Sequence, residues 1–475
     1  MEEMQQARPV NPRRKKKSPI QIFKEVYLPV IIAGAALLMI FVFIIGSIVR
    51  GIQYRQAEHQ ASLEASAAVQ AEFERQTAEA NALLAEADAL AAGYDYENAI
   101  ALLNSFSGDA ANFPELATKQ ASYQSAAESL VLWDDPSKVV HLSFQLLIAD
   151  PARAFANEEY KYSFNKNFVT TEEFTKILHQ LYENGYILIR SSDIVTVETN
   201  EDGASYFQTK PLYLPNGKKP LILTQTNVNY NNYLIDSDDD RFPDKDGGGF
   251  ASRLLLDENN NITCEMVDSQ GNTVTGAYDL VPILESFIAT HPNFSYKGAR
   301  AILALTGYDG LFGYRTNAEA ADYFGTIYHE EQKAAAGQMA DALRSRGYEL
   351  ACYTYSNIAY GESSSAQIKA DLSGWTVEVL PILGEVDMLV YAQKSDISSE
   401  PGSYNSELYS TLRDAGFKYF FGFVTDGTPW LTVEDNYIRQ GRILVDGNNI
   451  SNNPDWFNGI FDAYSILDPA RNNIS

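Results

Sequence analysis

KPLILTQTNV (residues 219–228) holds a compact β-type run, Pro220–Thr224, with no charged residue inside it. Such a run reads as a strand buried on both faces, which is what a parallel sheet requires. The pattern on either side supports this. Val139–Ile148 is β-rich. Thr171–Gly185 places Phe174, Ile177, Leu178 and Leu181 at helical spacing, with Thr170 or Thr171 as N-cap and Gly185 as stop. Tyr186–Arg190 reads as a strand. Downstream, helices are expected at Leu280–Ala289, Glu331–Gly347, Ser365–Thr376 and Ser403–Gly416. Strands are expected at Ala299–Thr306, Tyr348–Tyr355, Val377–Pro381, Met388–Tyr391 and Lys418–Phe423. Alternating strands and helices predict an α/β fold with a parallel sheet, and the length suits a (β/α) barrel, complete or partial.

Phe250–Tyr278 breaks this rhythm. Turn signals at Asn259–Asn261 and Gln270–Asn272 separate β-type runs, which predicts a β-meander inserted at about 236–280. The run DSDDDRFPDKDGGG (Asp236–Gly249) has the acids of a calcium loop. It lacks the glycine at position 6 and the glutamate at position 12 of a helix-loop-helix site, so a solvated acidic loop and a loose calcium site both stand. Cys264 and Cys352 are the two cysteines, and their spacing does not establish a disulfide.

Toward the N-terminus, Val26–Val49 runs for 24 residues without a charge, where about 20 suffice to span a membrane. Pro29 falls in its first turn. The run is longer than a secretory signal and leads into a polar helix, which predicts a retained anchor. Residues 1–25 carry seven Lys and Arg against three Glu, a net +4, so the remainder carries −30 of the chain's −26. Basic flanks stay in the cytoplasm, so the C-terminal body is expected outside, on a single-pass cell-membrane protein. Its acidity argues against a nucleic-acid partner. Residues 50–135 read as a helical stalk, with Leu63, Val69 and Phe73 in an imperfect apolar stripe and one tetratricopeptide-like hairpin near Tyr96–Phe106. The organisation is then a basic tail (1–25), a transmembrane helix (26–49), a stalk (50–135) and a barrel (136–475).

The order of segments in 138–470 resembles the polysaccharide deacetylase family, the NodB-homology domain of carbohydrate esterases, and more narrowly a membrane-anchored bacterial branch with a long insertion. VVHLSFQLL (139–147), FVTTEEFTKILHQLYENGYILI (168–189), KPLILTQTNV (219–228), ADALRSRGYELACYTYSN (340–357), MLVYAQKSD (388–396) and LRDAGFKYFFGF (412–423) fall where that family has its conserved segments. The resemblance implies a deacetylase-type barrel, a zinc or other divalent ion held by one Asp and two His, and a second Asp as base. Here the base position falls on Thr226 and the metal Asp on Asn227. The two His fall on Tyr353 and Asn357, and the opening-strand His on Gln145. Gln393 and Ser395 replace a Pro and a Gly. No window holds a ligand-spaced His pair among His59, His141, His179, His291 and His329. Thr and Tyr do not serve as a base near neutral pH and Asn is a poor zinc ligand, so no metal cofactor is expected.

Candidate ligand-binding residues lie in loops after strands: Asp309, Tyr314 and Arg315, with Tyr308, in TGYDGLFGYRT (306–316), and Asp426 and Trp430 in VTDGTPW (424–430). Arg439 and Arg442 are expected on a late strand, paired with acids. Two functions follow. One is a catalytically degenerate barrel that binds cell-wall glycan or an envelope protein. The other is an active deacetylase or a glycan hydrolase with a relocated carboxylate site drawn from Asp309, Glu385, Asp387 and Asp426.

Overall fold

The computed structural model describes residues 16–203, 205–398, 402, 404 and 407–473. Most of the basic N-terminal cluster and the start of the helix expected at Ser403 lie outside these residues. Two compact units divide at Asn81/Ala82.

In the first unit, a helical turn at Pro19–Ile22 and a π-helical turn at Phe23–Tyr27 lead into one α-helix, Leu28–Ala92. The helix continues from the apolar stretch into the polar residues expected as a stalk, with no proline in residues 50–92 to end it. The stretch Val26–Val49 spans about 36 Å as a helix against a hydrocarbon core of about 30 Å. Its large side chains are exposed all round, Val30 at 66% and Phe41 at 61%. This single long apolar helix near the N-terminus fits a single-pass membrane anchor.

In the second unit, helices Tyr96–Asn104 and Pro114–Glu128 pack as a hairpin. Asp88 is fastened to Lys119 and Tyr123, both at 2.6 Å, and the Lys119 hydrogen bond holds its carboxyl below the usual range. The barrel follows. Its strands are β1 (Val140–Phe144), β2 (Lys219–Thr226), β3 (Ile302–Leu305), β4 (Glu349–Cys352), β5 (Met388–Val390), β6 (Tyr419–Phe423) and β7 (Tyr437–Leu444). Each pairs in parallel with the next, and β7 pairs with β1, so the ring closes with seven strands. This is the complete form of the expected deacetylase-type (β/α) barrel. Two half-strands widen the wall: Tyr186–Leu188 runs beside the first half of β2, and Leu431–Glu434 runs antiparallel beside the first half of β7.

Side chains alternate along each strand. Leu142, Leu223, Leu303, Leu389 and Phe420 face the helical layer. Ile222, Ile302, Ala304, Met388 and Ile438 belong to a second cluster inside the ring. Toward the strand C-termini the interior turns polar. His141 bonds Thr224 at 2.6 Å and Gln440 at 3.0 Å, and Arg442 bonds Ser143 at 2.8 Å. Burial, with Arg442 nearby, pushes the His141 pKa down to about 3, so this interior His is neutral.

The inserted meander forms as expected from Arg253–Leu256, Ile262–Val267 and Thr273–Gly276. A hairpin of Val195–Thr199 and Ser205–Thr209 was not foreseen. The strand expected at Val377–Pro381 is instead a π-helical turn (Trp375–Val379) and a short helix (Leu380–Leu383). Trp375, Val379 and Leu383 are buried while Val377 is 69% exposed. A spacing of four, not two, governs this segment, which is helical amphipathicity.

Candidate functional site

Strands β2, β3, β4 and β5 end in backbone that turns through left-handed conformations at Asn227, Asp309, Thr354 and Gln393. Positive φ at non-glycine residues is uncommon and clusters at ligand sites. The loops leaving β2, β3 and β4 line a cleft of about 860 Å³. That volume lies within the usual range for a small-molecule site.

Four tyrosines shape it: Tyr160, Tyr233, Tyr308 and Tyr355. Tyr160 and Tyr233 lie 6.0 Å apart, ring to ring. Tyr308 is 57% exposed, on the loop after β3. Tyr355 is held from two directions. A Cβ at Gly307 or at Gly374 would overlap its ring, so both positions demand glycine. Its backbone N–H donates to Asp371 at 2.7 Å, as does that of Ser356 at 2.8 Å, and the Tyr360 hydroxyl donates to the same carboxylate. Gly307→Ala is expected to swing Tyr355 from its place, at a stability cost of about 1–3 kcal/mol by overpacking. A melting curve with and without ligand checks this: both the midpoint and the ligand-induced rise should fall.

The cleft is acidic. Glu159, Asp236, Asp239, Asp309, Glu319 and Glu378 line it, with Arg241 as its one cation among the described residues. The Arg241 guanidinium lies 3.6 Å over the Tyr323 ring. Burial, with Tyr160, Tyr353 and Asp309 around it, pushes the Tyr233 phenol up to about 12. Asp309 raises Tyr308, and burial together with Glu378 raises Tyr355. The phenols are therefore neutral near pH 7 and serve as hydrogen-bonding rings.

The sequence-derived candidates scatter. Asp309 lines the cleft and accepts from the Asn232 backbone N–H at 3.0 Å. Arg315 is buried beneath it, donating to the carbonyls of Tyr230 and Asp309 at 3.2 and 2.9 Å. Tyr314 is buried on the meander side, 6.0 Å from the Arg253 guanidinium. Asp426 is exposed and accepts from Thr428 N–H at 2.9 Å. Trp430 lies against Gly441, where a Cβ would overlap its indole. Glu385 and Asp387 precede β5 and so sit at the opposite barrel end from Asp309. Arg439 forms a buried ion pair with Asp396 at 3.0 Å. Arg442 departs from expectation: it bonds Gly422 O, Tyr391 O and Ser143 Oγ, and among the described residues no carboxylate. Tyr160, Tyr233, Tyr355, Glu159, Glu319 and Glu378 were not singled out from sequence; apart from the adjacent Glu159 and Tyr160, they come from separate loops and helices.

The positions matched to family ligands do come together at the strand ends. The Thr226 hydroxyl donates to Phe144 O at 3.2 Å and is hydrogen-bonded with Tyr353, whose phenol burial raises. Gln393 donates to Asn357 O, and Gln145 to Asn167 O, each at 3.3 Å. The side-chain oxygens of Asn227 and Asn357 have no partner among the described residues. Two amides, a hydroxyl and a neutral phenol do not make the His-and-carboxylate set that zinc takes. His179 and His291 lie on the outer helices, and His329 bonds Thr316 O at 2.9 Å. Cys264 and Cys352 are both buried and unpaired. In the acidic loop, carboxylate oxygens of Asp236, Asp238 and Asp244 lie within 4.8 Å of one another. The loop's own amides occupy them: Asp236 accepts from Asp238 and Asp239, and Asp244 from Ser237.

No protein-family model matches the chain. No curated protein matches it. Among solved structures, the Streptococcus pyogenes deacetylase PplD in complex with acetate is similar at 12% identity, over 67% of this chain and 98% of that one, with a TM-score of 0.32.

Proposed function

We propose that this chain is a membrane-anchored, deacetylase-like barrel that binds cell-wall glycan outside the membrane, with its N-terminus in the cytoplasm and without metal chemistry. The tyrosine-lined cleft at the C-terminal ends of β2, β3 and β4 carries the reading. Barrels of this kind gather their sites at that end. Flat, neutral phenols beside carboxylates and amides offer ring faces and hydrogen-bond acceptors, which suits a saccharide. Thr226 at the position of the family's base, with Asn227, Tyr353 and Asn357 at the positions of its metal donors, supports binding over hydrolysis. A hydrolase built on carboxylates loses Glu385 and Asp387, which sit at the other end of the barrel from Asp309.

Titration of the purified full chain with chitotetraose and with soluble peptidoglycan fragments, alongside metal analysis and an acetate-release assay, tests this. Saturable binding without stoichiometric zinc or acetate release is expected. Tightly bound zinc with metal-dependent release of acetate would sink the proposal, and absence of any glycan binding would turn it toward an envelope protein. Tyr308→Ala should weaken glycan binding about tenfold, or about 1.4 kcal/mol. Its exposure leaves the melting point unchanged, so calorimetric titration reads the ring's contribution directly.

A further inference from the structure

We infer that the cleft takes a cationic saccharide, one whose hexosamine rings carry free amines, in preference to its N-acetylated counterpart. The inference rests on the proposed glycan-binding role and specifies which glycan. The charge of the cleft carries it. Six carboxylates face one arginine there, whereas the whole chain has 62 acids to 36 bases. The ratio of acids to bases in the cleft is about three and a half times that of the chain. The arginine is already engaged by Tyr323.

The carboxylates are distributed around the opening. Glu159 precedes the Tyr160 ring, Asp309 follows β3, Glu319 opens the helix Ala318–Phe324, and Glu378 lies on the turn Trp375–Val379. Glu378 accepts from the Ala318 backbone N–H at 3.0 Å and the Tyr355 hydroxyl is bonded to it, which fixes a carboxylate at the hydroxyl edge of an aromatic ring. Asp309 and Glu319 both raise the Tyr308 phenol, so their field reaches that ring. An ammonium group beside such a ring is attracted by both the carboxylates and the ring face. Acids placed around the opening concentrate cations in the cleft. An acetamide offers neither attraction. A cationic peptide shares the charge but lacks the succession of flat pyranose rings that four tyrosines suit.

The test uses the full chain in detergent with EDTA at pH 6, titrated with glucosamine tetramer, chitotetraose and tri-lysine. The amine-bearing tetramer should bind at least tenfold more tightly than chitotetraose, and the margin should shrink severalfold between 50 and 300 mM salt. Glu319→Gln combined with Glu378→Gln should reduce the tenfold margin to about threefold or less. A melting curve shows whether that variant is folded, and Glu319→Gln alone, at an exposed position, keeps the test open if it is not. Equal or tighter binding of chitotetraose overturns the inference and leaves the glycan-binding role intact. Tri-lysine binding as tightly, with the same dependence on Glu319, overturns it in favour of a peptide ligand. Binding of none of the three overturns both readings.

Discussion

Glu173→Ala is expected to destabilise the barrel by about 3–5 kcal/mol, because it strips the counter-charge from a buried arginine. Glu173 is 0% exposed. One of its oxygens accepts from Arg471 Nε at 2.6 Å and Asp468 N–H at 2.9 Å. The other accepts from Arg471 Nη2 at 2.7 Å and Thr170 N–H at 2.8 Å, the second completing a capping box at the start of helix Thr171–Glu183. The fork thus ties the last turn of the described chain to a helix near its beginning. Arg471 also donates to the carbonyls of Asn165 and Phe168. Alanine would leave its charge enclosed by neutral dipoles. Thermal or urea unfolding of the purified protein reads the loss. Glu173→Gln keeps the shape and two of the acceptor bonds, so it should lie between wild type and alanine. If alanine costs under about 1 kcal/mol, the fork behaves as an exposed pair would.

Glu349 should make the protein less stable as the pH rises from about 4.5 to 7. Burial pushes its carboxyl from 4.5 up to about 7. Arg190 opposes that shift, while Asp193 and Asp387 add to it. Burial raises both of those carboxyls as well. The folded state therefore holds a proton that the unfolded chain releases near 4.5. Its stabilising effect is complete below the unfolded value and disappears as the pH climbs through the folded one. The full shift corresponds to about 3 kcal/mol, and partial solvent contact brings the expected loss nearer 2. Glu349→Gln should flatten the stability–pH profile in that window and raise the melting point at pH 7.5. Asp193 and Asp387 keep a residual slope in the same direction. An unchanged profile would show that water reaches the carboxylate freely.

The barrel was legible because its strands are covered on both sides. Runs such as Pro220–Thr224 and Ile302–Leu305 need no alternation, and the second leads to a long helix, Thr326–Ser345, with one buried face. Thr170 and Gly185 marked one such helix, and the structure adds Glu173, which completes a capping box with Thr170. Val377–Pro381 misled because a valine, a glutamate and a valine in succession mimic a strand. Only the burial of Trp375, Val379 and Leu383 together exposes the period of four. The hairpin at Val195–Thr209 has few apolar residues, and its outer face is exposed, so it gave little signal.

The cleft was harder to read. Its tyrosines, at 160, 233, 308 and 355, come one at a time from segments about 50 to 75 residues apart. No local spacing links them; the barrel does. Asp309 was singled out because a Gly-rich loop followed a strand. Trp430 satisfied the same criterion, yet it covers the glycine pair Gly422 and Gly441 of β6 and β7. A tryptophan and a carboxylate after a strand read alike whether they bind a ligand or roof the wall.

The ring closes between its first strand and its last. His141 and Gln440, which touch across that seam, are 299 residues apart. Synthesis at about 5–20 residues per second places about 15–60 s between them. Until β7 (Tyr437–Leu444) is made, β1 lacks its partner on that side. Its open edge is a template for any other extended chain nearby. Biogenesis is thus the vulnerable moment for this protein: a polypeptide that is edge-free once finished spends much of its manufacture with one edge bare. Long-range closure of this kind also slows folding.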